Sequence, residues 1–249
     1  MDTLEKAFGI IEDIAANQQH GLLFSEITVH LDLPKSSTHR ILNRLVRMGY
    51  LIFDQNTKRY RGSLRLSKLG AAVIESSDLR DLIIPFLQRL HQTTGHICNL
   101  GIISEGRGIF LHKIEPKSYS IRLYSEIGKD FPLHCTGMGK ILLAFMEPAQ
   151  RKKIVSGTLA SYTENTITDT KALLEELREV KKCGYAIDRE EITRGIMCVA
   201  APVRDMNKEV IASISVTFPS YLEEERGLSH EVEAVKHCSE EIHKAMGGR

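Results

Sequence analysis

The stretch Leu33-Pro34-Lys35-Ser36-Ser37-Thr38-His39-Arg40-Ile41-Leu42-Asn43-Arg44-Leu45-Val46-Arg47-Met48-Gly49 decides how this chain reads. On a helical wheel at about 100° per residue, positions 36 to 48 divide cleanly. Ser36, Ser37, His39, Arg40, Asn43, Arg44 and Arg47 fall in one arc, and Thr38, Ile41, Leu42, Leu45, Val46 and Met48 in the other. An ordinary surface helix shows the same split, so amphipathicity alone identifies nothing. The charges are more specific. From Pro34 to Lys68 the basic residues are Lys35, Arg40, Arg44, Arg47, Lys58, Arg59, Arg61, Arg65 and Lys68, against the single acid Asp54. A solvated face usually mixes signs to gain i,i+4 pairs, whereas a face of one sign suits phosphates.

Upstream, Leu4, Ala7, Phe8, Ile11, Ile14 and Ala15 keep the spacing of one helix face. Ser25 is placed to cap a short second helix, Asp32 and Leu33 to turn the chain, and Pro34 to sit in the first turn of the third helix. Downstream, Gly49 closes that helix, and 50–53 and 58–61 read as two short strands around the polar turn 54–57, a candidate wing. The order predicts a winged helix-turn-helix with double-stranded DNA as partner. Arg40 and Arg44 are assigned to guanine edges; Ser36, Ser37 and His39 to bases or phosphates; Lys35 and Arg47 to phosphates. Ser25 and the wing residues Lys58 and Arg59 complete the DNA-binding set, and Thr38 is expected to pack inward.

With 249 residues and 42% hydrophobic content the chain has room for one small and one mid-sized domain. Helical spacing from Leu64 to Leu90 breaks near Ser76-Ser77-Asp78, which places a DNA-binding domain with its linker helix at 1–75 and a second domain at 76–249. That second part alternates strand-like stretches (97–103, 108–114, 119–126, 185–189, 198–204, 210–217) with helical ones (136–146, 169–183, 229–246), an α+β pattern. The net charge of +1 carries no global nucleic-acid signal. The acidic start Met1-Asp2-Thr3-Leu4-Glu5 and the short apolar runs argue against export and against a membrane. Five cysteines without a C-x-x-C pair argue against a disulfide framework or a zinc knuckle, so a cytoplasmic protein without cofactor or metal is expected.

The block 33–42, with Leu45 and Gly49-Tyr50-Leu51, resembles the winged-helix signature of the IclR family of regulators. Pro132-Leu133-His134-Cys135-Thr136-Gly137-Met138-Gly139-Lys140, Tyr185-Ala186-Ile187-Asp188-Arg189-Glu190-Glu191, Gly195-Ile196-Met197-Cys198-Val199-Ala200-Ala201-Pro202-Val203 and Ala212-Ser213-Ile214-Ser215-Val216 resemble its effector domain in the same order. The resemblance implies a GAF-like α/β effector-binding domain and a regulator, expected to be a repressor. It also implies a dimer built through the DNA-binding halves and linker helices, and often a tetramer, on a pseudo-palindromic operator. Met138 stands where many members carry a smaller residue, and Phe131 at a pocket position that is often aliphatic.

Thr136, Gly137 and Gly139 open an apolar helical run, where free N–H groups can hold a carboxylate; a tight strand-to-helix turn is the plain alternative. The resemblance places an effector at Gly137 and Met138. Asp188 is expected to accept hydrogen bonds from hydroxyls at the effector's far end, with Cys198, Ser215 and Thr217 as the remaining polar positions. Cys198 taken alone reads as a small core hydrophobe. A small organic acid is therefore the expected effector, and the Pro-Leu-His-Cys block resembles the branch tuned to sugar acids and their keto-deoxy derivatives. Arg122 is read as a surface residue. An enzyme with Cys135 or Cys198 as nucleophile and His96, His112 or His134 as base is the main alternative, but no sequence signature orients such a pair. Metal binding lacks clustered Cys/His spacing.

Overall fold

The computed structural model describes residues 2–75, 78–116 and 125–248. It divides into two compact units, Met1–Ser76 and Ser77–Arg249. The first contains α1 (Thr3–Ala16), β1 (Leu22–Leu23), α2 (Phe24–His30), α3 (Lys35–Arg47), β2 (Leu51–Phe53), β3 (Arg59–Gly62) and α4 (Leu64–Glu75). Asp2 accepts the N–H groups of Leu4 and Glu5 at 2.7 and 2.9 Å, and Glu5 returns the bond to the Asp2 N–H, which fixes where α1 begins. Ser25 does not cap α2; it is already the second helical residue. The start is held instead by Glu26, whose carboxylate accepts the Leu23 N–H at 2.7 Å. Pro34 lies one position earlier than expected, immediately before α3, where its carbonyl accepts the Thr38 N–H and the hydroxyls of Ser37 and Thr38.

The apolar arc of α3 is buried: Thr38, Ile41, Leu42 and Leu45 face Ile10 and Ile14 of α1, Ile27 of α2, and Leu51 and Tyr60 of the hairpin. Gly49 ends the helix at φ +79°, a left-handed conformation in which its N–H reaches the Val46 carbonyl. The strands form one antiparallel sheet in the order β1-β3-β2, with β1 an element that sequence periodicity missed because it spans two residues.

The second unit contains α5 (Asp78–Thr94), β4 (Ile97–Ser104), β5 (Arg107–Ile114), β6 (Asp130–Phe131), α6 (Gly137–Phe145), α7 (Pro148–Val155), α8 (Thr170–Cys183), β7 (Ala186–Arg189), β8 (Ile196–Arg204), β9 (Val210–Pro219), α9 (Tyr221–Arg226) and α10 (Ser229–Ala245). The described strands form one antiparallel sheet, ordered β6-β5-β4-β9-β8-β7. Most of the expected 119–126 strand, Arg122 included, lies outside the described residues. α6 and α8 share a core with Ala186 and Ala200 of the sheet. By the alternation of a pleated strand, Val199 and Ala201 point the other way, and α10, packed on α5, also covers β8. Register then lines up the polar residues: Thr217, Cys198 and Asp188 are direct cross-strand partners, and Asn99 pairs with Ser215.

Candidate DNA-reading face and effector pocket

On the outer arc of α3, Lys35, Ser36, His39, Arg40, Arg44 and Arg47 are exposed and Ser37 is half-buried. Lys35, Arg40, Arg44 and Arg47 have no hydrogen-bond or ion-pair partner among the described residues, so the helix presents four uncompensated cations. Thr38 is wholly buried, its hydroxyl donating to Pro34. In the wing, Asp54 accepts the N–H groups of Asn56 and Thr57, which hold its carboxyl below the usual carboxylate range, and Lys58 turns outward at φ +56°. Arg59 is placed differently. Its guanidinium donates to the Gly21 carbonyl at 2.8 Å and to Glu26 at 3.2 Å, so it braces the wing against the start of α2. Exposed Arg61 and Lys68 extend the basic surface, as does Arg65, which stacks on Tyr50.

The second unit holds a pocket where the N-terminus of α6 meets the polar row of the sheet. Thr136, Gly137 and Met138 line one end, and Asp188, Cys198, Ser215 and Thr217 the row. Thr136 caps α6 by accepting the Gly139 N–H at 3.1 Å, and its carbonyl takes the Lys140 N–H. The N–H groups of Gly137 and Met138 have no acceptor among the described residues and carry the positive end of the helix dipole.

Six lining residues escaped the sequence reading: Asn99, Phe110, Ser125, Ile192, Thr193 and Ile196. Asn99 left a usable signal, a lone amide inside the buried run Ile97-Cys98-Asn99-Leu100. Its side-chain N–H donates to the Ser215 and Thr217 hydroxyls at 3.4 and 3.3 Å, while Oδ1 has no partner among the described residues. Ser125 Oγ and Asp188 Oδ2 are also buried and have no partner among the described residues. Two of the expected residues do not line the pocket. Gly139 sits against the Leu133 backbone so tightly that an added Cβ would come within 2.4 Å of its carbonyl oxygen. Phe131 fills the space left by Gly101 and Gly108 and packs on Phe110.

Asp188 is fully buried. Its Oδ1 accepts the Glu191 N–H at 2.7 Å. Burial is the main cause that pushes its carboxyl up to about 7, with the Glu191 charge acting the same way and Lys140 and the Glu191 N–H opposing. Beneath the pocket, Lys140 is buried and donates to Glu191 at 2.5 Å, Glu176 at 3.0 Å and the Ile187 carbonyl at 2.9 Å. It joins α6 to the chain on both sides of Asp188. No basic side chain lines the pocket itself among the described residues.

Burial pushes the thiols of Cys98, Cys135 and Cys198 well above the ordinary thiol range, which leaves them poor nucleophiles. His134, the chain neighbour of Cys135, is turned to the Ala160 carbonyl at 2.9 Å. Cys198 faces the Thr217 hydroxyl at 3.0 Å.

Residues 3–55 match the model of the IclR helix-turn-helix domain, and residues 71–244 that of the bacterial transcriptional regulator IclR C-terminal domain. The chain is 34% identical to the HTH-type transcriptional regulator KdgR of Escherichia coli (strain K12) over 246 residues, 97% of this chain and 91% of that protein. It is also 34% identical to the HTH-type transcriptional regulator BhcR of Paracoccus denitrificans, over 99% of this chain and 88% of that one. The crystal structure of the Thermotoga maritima IclR matches with a TM-score of 0.74 at 30% identity, covering 98% of each chain. Among the described residues no helix is long and apolar enough to cross a membrane. With a winged helix-turn-helix unit, a separate α/β unit and this match across nearly its whole length, the chain belongs to the IclR family of DNA-binding transcriptional regulators and is not an enzyme.

Proposed function

We propose that this regulator is a repressor whose dimer binds a pseudo-palindromic operator and is controlled by a small organic acid held between the α6 N-terminus and the polar row of the sheet. One observation supports the effector site: among the described residues Asp188 Oδ2, Asn99 Oδ1 and Ser125 Oγ are buried without partners in residues that line a single pocket, opposite two N–H groups without an acceptor. Buried polar atoms are rarely left unpaired, and three around one cavity fit a ligand that completes them. A carboxylate takes the Gly137 and Met138 amides, and a hydroxyl meets Asp188 and donates to Asn99 Oδ1, or an oxo oxygen accepts from the protonated Asp188 carboxyl. Sugar acids, their keto-deoxy derivatives and shorter hydroxy and oxo acids all carry these groups. The test is a thermal-shift screen of such acids followed by DNA titration with and without the best binder. A ligand acts only through different affinities for the DNA-bound and free forms, so an acid that stabilises the protein and leaves operator affinity unchanged refutes this control.

Arg40→Ala and Arg44→Ala are each expected to weaken operator binding by about 1–3 kcal/mol with the fold intact. Gel-shift titration measures this, and wild-type affinity in both variants displaces the recognition helix from its role. Lys35, Arg47 and Lys58 supply salt-sensitive phosphate contacts instead.

An apolar groove on the first unit supports the dimer. Leu4 and Phe8 of α1, Met48, and Leu69 of α4 line it and are more than half exposed, the pattern of a face that another protein surface covers. A second copy fits best, because a two-fold dimer matches a two-fold operator. Phe8→Glu is expected to yield monomers at micromolar concentration in sedimentation and to weaken operator binding at least tenfold; unchanged dimers place the interface elsewhere.

A further inference from the structure

We propose that Asn43 reads an adenine in each half of the operator, with His39 as the positioning residue that sets which way its amide faces; this rests on reading α3 as the recognition helix. Asn43 is exposed in the middle of α3. At about 100° per residue, the buried arc of Thr38, Ile41, Leu42 and Leu45 lies opposite a direction that Asn43 and Arg40 flank by about 30° on either side. The amide stands between Arg40 and Arg47 on the helix surface. Those cations answer the phosphate charge, and a neutral amide adds nothing to it. Asparagine is also a poor helix former, because its side chain competes for the backbone. Here it bonds to another side chain instead.

Asn43 Nδ2 donates to His39 Nδ1 at 3.2 Å. An amide nitrogen only donates, so Nδ1 accepts and the ring is the neutral form with its proton on Nε2. An unattached amide presents its oxygen and its NH2 group in either order by turning about its last bond. The His39 acceptor takes only the NH2 end, so Oδ1 is the end left free. The ring is held in turn by Phe24 of α2, edge-on, with ring centres 6.0 Å apart and planes at 75°. Phe24 packs against the core of the first unit, so the amide's orientation is set from the core outward.

What remains is an oxygen and one N–H of a single planar amide, without partners among the described residues. That pair fits the N6–H donor and N7 acceptor of adenine in the major groove. Guanine offers two acceptors there, cytosine a donor, and thymine an acceptor beside a methyl group, so none of them meets both ends. Arg40 and Arg44 carry donors only and suit guanine. Neighbouring side chains of α3 thus divide the two purines between them.

The experiment selects duplexes from a randomised pool with the wild-type full-length protein. Gel-shift titration then compares all four bases at each position of the best duplex for wild type, Asn43→Ala, His39→Phe and Arg40→Ala. Wild type is expected to prefer adenine at one position in each half by about tenfold or more. Asn43→Ala is expected to reduce that preference to about threefold or less, with the other preferences and the salt dependence unchanged. His39→Phe keeps an aromatic ring against Phe24 and removes the acceptor. It is expected to lose part of the same preference and to add nothing in the double variant with Asn43→Ala, whereas a merely structural change weakens all duplexes alike. Uniform weakening by Asn43→Ala, a lost preference for a base other than adenine, or no change overturns the Asn43 assignment. An adenine preference left whole by His39→Phe overturns the positioning role. If Arg40→Ala alters a preference and Asn43→Ala does not, the recognition helix stands and Asn43 is misread; if neither alters any preference, the reading of α3 fails as well.

Discussion

Replacing Lys140 by methionine is expected to destabilise the second unit by about 3–5 kcal/mol, the cost of leaving a buried charge without its partner. Methionine matches the length of the lysine stem and keeps the packing of α6, so the loss isolates the charge. Three acceptors lose their donor at once: Glu191, Glu176 and the Ile187 carbonyl. Glu176 is half-buried and can turn toward water. Glu191 is buried, and its second oxygen already lacks a partner among the described residues. Adding Glu191→Gln removes the stranded charge and is expected to restore more than half of the loss, because pair deletions are strongly non-additive for residues in contact. Urea unfolding of the two single variants and the double variant measures the coupling. A loss below 1 kcal/mol for Lys140→Met, or additive effects, refutes the role of this ion pair as the anchor of the pocket floor.

The recognition helix was legible because its information is local: a 3.6-residue period, one sign of charge, and a glycine that ends it. The second unit was legible where a strand or helix ran long enough to show a period, and its α+β class followed. β1, α7 and α9 were too short for that. The pocket is a non-local object, and it divides accordingly. Asp188, Cys198 and Thr217 were named through ordered sequence blocks, yet only register across β7, β8 and β9 makes them neighbours. Asn99 and Ser125 come from segments far away in sequence and carry no motif. Gly139 lies in an ordered block and Phe131 just before it, and in the structure both make packing contacts and do not line the pocket. Arg59 was counted as a DNA contact from its charge alone, which cannot reveal that Gly21 and Glu26 already engage it.

Effector affinity is expected to fall about tenfold per pH unit above 7, reaching about a hundredfold at pH 9, with Asp188→Asn removing the slope. The cause is the protonation state of one buried group. Asp188 Oδ1 is taken by the Glu191 N–H, so Oδ2 carries the proton and donates it into the pocket while the carboxyl is neutral. Its expected role toward an anion below about pH 7 is thus to donate. Burial pushes this carboxyl up to about 7, and above that value its charge opposes a bound carboxylate. The Cys135 and Cys198 thiols are pushed up by burial and keep their protons through this range. The ligand, an ordinary carboxylic acid, is ionised throughout, so affinity is flat from about pH 5 to 7. The same shift acts on folding with its own sign. A folded value above the unfolded 3.8 means that the native state holds the proton longer, so this group's contribution to stability declines as pH rises from about 4 to 7. Asparagine keeps an N–H donor without titrating, so Asp188→Asn is expected to bind the effector at pH 9 better than wild type and to unfold later in urea at pH 8. Calorimetry from pH 6 to 9 in buffers of different ionisation heat reads the affinity and an uptake approaching one proton per ligand above pH 7. A flat profile, or a slope that persists in Asp188→Asn, shows that Asp188 does not control the anion's entry.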